Sequence, residues 1–257
     1  MRAETHAAVE AVRAALPLLR ARQGADERHA KERLDFATGT DVAVERLLIE
    51  RLSGAFPAYG ILGEETGLQG DRDRFWVLDP ICGTTNYAIG LPLYNVNVAL
   101  IEDGLVTIGV VLDPVADEVY WAERGAGSFA PAGDGWRRLR TSDHSGTISI
   151  DFGHRTATGE VDLMHALMGR VLRQRFWNVR VLATSVVLAY VADGRLAAHV
   201  VDAINAWDLC AGALLAEEAG AIVTDFEGRP WKWDSPQVLC AASERTHAQL
   251  LELLAQR

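Results

Sequence analysis

The sequence predicts a layered α/β protein with an α+β N-terminal half, residues 1–146, and an α/β C-terminal half, residues 147–257. Three observations carry this expectation. The first half opens on helical apolar periodicity and then changes to short β-rich runs separated by tight turns. The second half alternates strand-like and helix-like segments, the grammar of helices packed on a sheet. The chain has 257 residues, 49% of them hydrophobic, which suffices for a large core in one domain or two closely packed ones.

Residues 3–22 read as an amphipathic helix with Pro17 as a kink. Thr38, followed three residues later by Asp41, resembles a capping box in which Asp replaces the usual Glu or Gln. The helix that follows carries Val44, Leu47, Leu48 and Leu52 on one face. Short apolar runs at 59–62 and 75–78 end close to acids. Runs at 94–101, 106–112 and 118–121 are β-rich and are divided by Asp103-Gly104 and Asp113-Pro114 turns, which predicts antiparallel sheet packed on the first helices. Residues 125–146, rich in Gly and polar side chains, read as the boundary between halves. Beyond it, 147–152, 178–182, 221–224 and 238–242 read as strands. Segments 160–171, 185–192, 208–219 and 244–256 read as helices, with Gly220 closing the third of them. A cleft is expected where the halves meet.

The formal net charge is −10 and no basic stripe is present, so nucleic acid is not an expected partner. The same charge sets a condition. An anionic substrate binds only where the site is locally positive, and helix N-termini and metal ions are the available sources. The three cysteines, Cys82, Cys210 and Cys240, are odd in number and form no C-x-x-C, which argues against a disulfide scaffold and a four-ligand zinc site. They fit a reduced, cytoplasmic setting. The N-terminal segment carries charges throughout and lacks the apolar stretch of a signal peptide. No uncharged apolar run reaches the roughly 18 residues of a membrane span. None of the seven histidines pairs as H-x-x-x-H. Trp76 and Trp207 directly precede or closely flank acids and read as core anchors.

Four acidic positions stand at the edges of these elements: Asp41, Glu64-Glu65, Asp79 and Asp208. Each has a plain alternative reading. Asp41 and Asp208 serve as helix caps, Glu64-Glu65 as a solvated acidic turn, and Asp79-Pro80 as a turn. Together they can converge at the rim of a fold, and converging carboxylates need a cation among them. Oxygen ligands of this kind suit Mg²⁺. The stretch 79-DPICGTTNY-87 adds the parts of a phosphate loop. Pro80 stiffens it, Ile81 offers a carbonyl, and Gly83 allows close backbone approach. Thr84 and Thr85 bring hydroxyls and N–H groups.

The motifs D-x-x-T-x-x-D at 35–41, G-E-E at 63–65, W-x-x-D-P-I-x-G-T-T-N at 76–86 and W-D-x-x-A-G with E-A-G at 207–220 occur in order over nearly the whole chain. In this they resemble the inositol monophosphatase family of Mg²⁺-dependent, lithium-sensitive sugar phosphatases. The resemblance implies an αβαβα sandwich of the sugar phosphatase type, a small phosphorylated metabolite as substrate, and a homodimer. It also implies roles. Glu64, Asp79 and the Ile81 carbonyl would hold a first metal carrying the attacking water. Thr84, hydrogen-bonded to Asp41, would orient and deprotonate that water, with Glu65 in support. The backbone at Gly83, Thr84 and Thr85 would cradle the phosphate. Asp79 and Asp208 would share a second metal that stabilises the leaving alkoxide.

Two positions depart from the resemblance. The family's loop has aspartate where this chain has Cys82, and a neutral thiol is a poor ligand for Mg²⁺. Three readings follow: a working phosphatase with another oxygen filling the gap, a site retuned to Mn²⁺, Zn²⁺ or other chemistry, or a phosphate-ligand binder without turnover. Cys82 also reads as a small neutral filler. Seven residues before Asp208, where the family usually has a glutamate that contacts an inositol hydroxyl, stands Val201, with Asp202 beside it. The family's Gly-Thr-Ala appears as Ala183-Thr184-Ser185, whose hydroxyls are candidate polyol contacts. A sugar, cyclitol or other metabolite phosphate is therefore expected in preference to plain inositol phosphate.

Overall fold

The structure is a computed structural model and describes residues 1–25, 28–30, 36–152, 161–202 and 204–256. The first half contains α1 (Ala3–Arg22), β1 (Arg28–Ala30), β2 (Phe36–Thr38), α2 (Gly39–Ala55), β3 (Gly60–Gly63), β4 (Gly67–Gln69) and β5 (Arg74–Cys82). It continues with α3 (Thr84–Ala88), β6 (Asn95–Glu102), β7 (Leu105–Asp113), β8 (Glu118–Glu123), β9 (Gly127–Ala132) and β10 (Gly135–Arg138). The second half contains β11 (Thr147–Asp151), α4 (Val161–Gln174), β12 (Asn178–Arg180), α5 (Val186–Ala192) and β13 (Ala198–Val201). It closes with α6 (Ala206–Ala219), β14 (Ile222–Thr224), β15 (Val238–Ala241) and α7 (Glu244–Ala255).

Strand alternation explains the layers. In the eight-stranded sheet, ordered β10-β9-β8-β7-β6-β5-β3-β4, Trp76, Leu78, Val96, Val98 and Leu100 point to one face. There they meet Val12, Leu19, Val44, Leu48 and Leu52 of α1 and α2. Phe75, Val77, Ala99 and Ile101 point to the other face and pack on α5 and α6. Those two helices are buried nearly all round, because their far side meets Val201, Val223, Val238 and Cys240 of the five-stranded sheet, β12-β11-β13-β15-β14. The outer face of that sheet, with Ile148, Ile150, Val200 and Leu239, is covered by α4 and α7. The order helix, sheet, helix, sheet, helix is the αβαβα sandwich. Among the described residues no helix is long and apolar enough to cross a membrane.

The structure corrects three expectations. The first sheet is not purely antiparallel, because β3 runs parallel to β5. The chain after β3 turns back to pair with β4 on the outer edge, so the next strand enters on the inner side in the same direction as β3. Residues 125–146 carry β9 and β10, which extend the sheet. The glycine signal there marks a hairpin, with Gly133 at φ 55, and Trp121 stacks on Phe129 at 4.3 Å between ring centroids. Finally, β5 does not stop at Leu78 but runs through Pro80 to Cys82. Asp35 of the first motif and Glu160 of the expected helix lie outside the described residues.

Candidate functional site

The continuation of β5 creates the site. Asp79 lies opposite Asn97 and Cys82 opposite Asn95, so three steps along β5 match two along β6. The extra residue is a bulge at Pro80-Ile81, a place where a strand tolerates the missing N–H of proline. Normal alternation would send Asp79 and Cys82 to opposite faces. The bulge brings both to the α6 side, while Ile81 packs into the core under α1 and α2. Gly83 then turns the chain into α3 with φ 89 and ψ 39. A Cβ at this position would sit 3.2 Å from the carbonyl oxygens of both Leu93 and Ala183, so only glycine fits without adjustment.

Two helix starts bring in the other acids by the same device. Asp41 is the third residue of α2, and its Oδ2 accepts from the Thr38 N–H at 2.7 Å and the Thr38 hydroxyl at 2.5 Å. The capping box read from the sequence is present. The other oxygen, Oδ1, lies 3.2 Å from Thr84 Oγ1. Asp208 is the third residue of α6, and its Oδ2 accepts from the Asn205 N–H at 3.2 Å. Its Oδ1 accepts from the Cys82 thiol at 3.4 Å. Each acid thus gives one oxygen to its helix and turns the other toward the loop. Thr84 Oγ1 is also 2.9 Å from the Ile81 carbonyl, so its single proton serves one acceptor at a time. Glu64 follows directly on β3, where its N–H donates to the Leu78 carbonyl at 3.2 Å.

The acids crowd together. One donor atom each from Asp79, Cys82 and Asp208 lies within 4.8 Å of the others, and all three residues are buried. Asp79 has 0% of its surface exposed. Its Oδ2 accepts from Asn97 at 3.2 Å, and its Oδ1 has no hydrogen-bond partner among the described residues. Burial, together with the charges of Glu64 and Asp208, holds its pKa well above the usual carboxylate range. Burial also pushes the Cys82 thiol up, assisted by Asp79 and Asp208. The neutral thiol donates to Asp208 and accepts the Ser185 N–H at 3.2 Å. Asp41 is pushed up to about 6 by burial, against the hydrogen bonds from Thr38. An unpartnered buried oxygen amid like charges is the environment a divalent cation relieves, and the carboxylate oxygens fit Mg²⁺. The sulfur of Cys82 is the one donor that suits a softer ion better.

A cavity of about 300 Å³ opens beside this cluster. Of the residues expected from the sequence, Glu64, Ile81, Cys82, Gly83, Thr84, Thr85, Thr184, Ser185 and Asp208 line it. Asp41, Asp79 and Glu65 are not part of that lining; Thr84 of the lining contacts Asp41, and Asp79 clusters with Cys82 and Asp208 of the lining. No Lys or Arg lines it among the described residues. Thr184 and Ser185 are held by β6, Thr184 Oγ1 at 2.6 Å from Asn95 Oδ1 and Ser185 Oγ at 2.8 Å from Asn97 Nδ2. Sequence reading passed over Asn95 and Asn97, although two amides at alternate positions in an apolar run mark one polar face of a strand. It also passed over Glu45, Asp151 and His199. Glu45 is buried in α2 and accepts the Glu65 N–H at 2.9 Å. Asp151 and His199 line the cavity from β11 and β13. Val201 is fully buried in the shared core, and Asp202 is 4% exposed.

The chain is 39% identical over 205 residues to Nus factor SuhB of Xylella fastidiosa, covering 77% of this chain and 72% of that one. It is 32% identical over 230 residues to inositol-1-monophosphatase of Caulobacter vibrioides, covering 86% and 87%. It is 34% identical over 196 residues to fructose-1,6-bisphosphatase/inositol-1-monophosphatase of Thermotoga maritima, covering 76% and 73%. The crystal structure of extragenic suppressor protein suhB from Bartonella henselae superposes with a TM-score of 0.89 at 29% identity, covering 99% of both chains. The Thermotoga maritima IMPase does so with 0.84 at 28% identity, covering 96% and 94%. The sequence model of the inositol monophosphatase family matches residues 1–257, and the chain belongs to that family of phosphoric monoester hydrolases.

Proposed function

We propose that this chain hydrolyses a phosphomonoester of a small polyol, sugar or cyclitol with Mg²⁺ as cofactor. One observation carries the reading. The cavity is lined by Glu64 and Asp208, Asp79 clusters with Asp208, and among the described residues no Lys or Arg lines it. A phosphate dianion enters such a space only with a cation between itself and the carboxylates. Glu64, Asp79, Asp208 and the Ile81 carbonyl are the groups that would hold Mg²⁺, which when bound neutralises phosphate charge and polarises its oxygens.

The chain's own residues supply the rest. The N–H groups of residues 83–85 open α3 and receive phosphate oxygens. The Thr84 hydroxyl, placed between Asp41 and the Ile81 carbonyl, orients the attacking water and passes a proton toward Asp41. Burial has raised the basicity of Asp41 toward neutral pH. Glu65 supports the loop that carries Glu64, and homodimerisation is expected from the family resemblance. The names of the Caulobacter and Thermotoga relatives support a cyclitol or sugar ester. The name of the Xylella relative points to a Nus factor; for this chain the net charge of −10 disfavours nucleic acid as a direct partner.

A second reading rests on Cys82. Its neutral thiol occupies the place of an acid and ties up Asp208, which favours a weak enzyme, a ligand binder, or a site that prefers Mn²⁺ or Zn²⁺. A generic phosphomonoester assay with Mg²⁺ on the parent and on Cys82→Asp separates these. Activity in the parent supports the enzyme. Activity in the variant alone supports the binder, and silence in both counts against a phosphatase. Transition metal in the purified parent supports the softer ion.

A further inference from the structure

We propose that His199 and Asp151 form a subsite for the alcohol part of the substrate, hydrogen-bonding hydroxyls of a polyol monophosphate. The proposal rests on the phosphatase reading for the position of the phosphate. It stands on strand geometry. β11 and β13 are parallel neighbours, with Ser149 opposite His199 and Asp151 opposite Val201. Ile148, Ile150, Ala198 and Val200 fill the core beneath α4 and α7. Alternation therefore turns Asp151 and His199 to the opposite face, toward the cavity that both line. Asp151 ends β11, and β13 ends two residues after His199. The chain then runs into α6, which carries Asp208. Carboxyl ends of parallel strands are where open α/β sheets place ligands.

His199 is 3% exposed, yet its Nδ1 has no hydrogen-bond partner among the described residues. Buried polar atoms are nearly always paired, and the ring that carries this unpaired atom lines the cavity, so a small turn of the ring would let a cavity hydroxyl supply the missing partner. Burial keeps the ring neutral, its pKa lowered to about 4 despite the nearby Asp151 charge and the Ser149 backbone. A neutral imidazole has one donor and one acceptor nitrogen, the same pair of capacities as a hydroxyl. Asp151 offers carboxylate oxygens, one of which already accepts the Phe152 N–H at 2.7 Å. A polyol hydroxyl satisfies such acceptors, whereas a second phosphate would be repelled by the carboxylate.

The test compares esters that differ in hydroxyls. Thr84→Val serves as a background in which turnover is slowed, and each titration is completed before measurable hydrolysis. With Mg²⁺ present, calorimetry gives Kd for cyclohexyl phosphate and for the tighter of inositol 1-phosphate and sorbitol 6-phosphate. The polyol ester is expected to bind more tightly. Adding His199→Phe or Asp151→Ala is expected to move the ratio of the two Kd values about tenfold toward unity, the loss of one or two hydrogen bonds. Circular dichroism checks folding, and if His199→Phe does not fold, Asp151→Ala decides. Equal binding of the two esters in the background overturns the proposal. So does a ratio that neither variant moves, or an equal loss on both esters. A protein that binds neither ester nor inorganic phosphate overturns the phosphate-site reading, and the subsite with it.

Discussion

The thiol of Cys82 lies 3.4 Å from Asp208 Oδ1 and donates to it, so a neutral group bridges two halves of the chain where a fourth acid would repel its neighbours. This relation predicts opposite effects of Cys82→Asp on stability and on metal binding. In EDTA the added buried carboxylate beside Asp79 and Asp208 should lower the melting temperature by several degrees, corresponding to about 1–3 kcal/mol. With saturating Mg²⁺ the variant should regain that loss, and its Mg²⁺ affinity should rise about tenfold or more. Thermal melts at graded Mg²⁺ check both.

Thr84 Oγ1 stands between Asp41 Oδ1 and the Ile81 carbonyl. Thr84→Val removes the hydroxyl with little change in shape. It should lower kcat roughly 10²- to 10⁴-fold, the usual range for a lost proton-transfer group, while leaving KM within a few-fold. Steady-state kinetics on a generic phosphomonoester measures the split.

Asp41 gives a pH prediction. Its folded pKa of about 6 lies above the ordinary carboxylate value. Between about pH 4 and pH 6 the folded state keeps a proton that the unfolded state has lost, so stability falls as pH rises through this window. At about 1.36 kcal/mol per pKa unit the Asp41 contribution amounts to roughly 3 kcal/mol. In EDTA, urea midpoints of the parent should fall from pH 4.5 to pH 7.5, and Asp41→Asn should flatten that fall. Activity, which needs Asp41 ionised, should rise over the same window.

Glu45 acts at one remove from the site. Its carboxylate, buried and raised in pKa chiefly by that burial, accepts the Glu65 N–H and so fixes the turn that carries Glu64. Glu45→Ala should reduce stability by about 1–3 kcal/mol and weaken Mg²⁺ binding several-fold. Glu45→Gln should restore most of the stability. Denaturant titration and calorimetry give the two readouts.

Much of this was legible in the sequence because the signals were local. Thr38 and Asp41 announce a helix start within four residues, and the structure has that capping box. Apolar alternation marked β6, β7 and β8 to within a residue or two at most ends. The bulge at Pro80-Ile81 was not legible, since a proline after an acid reads as a turn, and only pairing with β6 makes it a strand. The placements of Glu45 against Glu65 and of His199 on the cavity lining were hidden for the same reason. A lone acid within a helix and a lone His within a strand look like surface or core until a distant backbone N–H or a cavity wall is placed against them. Glycines at 125–146 misled because they serve hairpins as well as linkers.

The account turns on a shared cation that makes an acidic cavity receptive to phosphate. Calorimetric titration of inorganic phosphate into the parent, with Mg²⁺ and in EDTA, tests this most directly. Binding is predicted with Mg²⁺ and should disappear in EDTA, and Asp79→Asn should weaken it even with Mg²⁺ present. Phosphate that binds equally well in EDTA, or that binds in neither condition, would contradict the account.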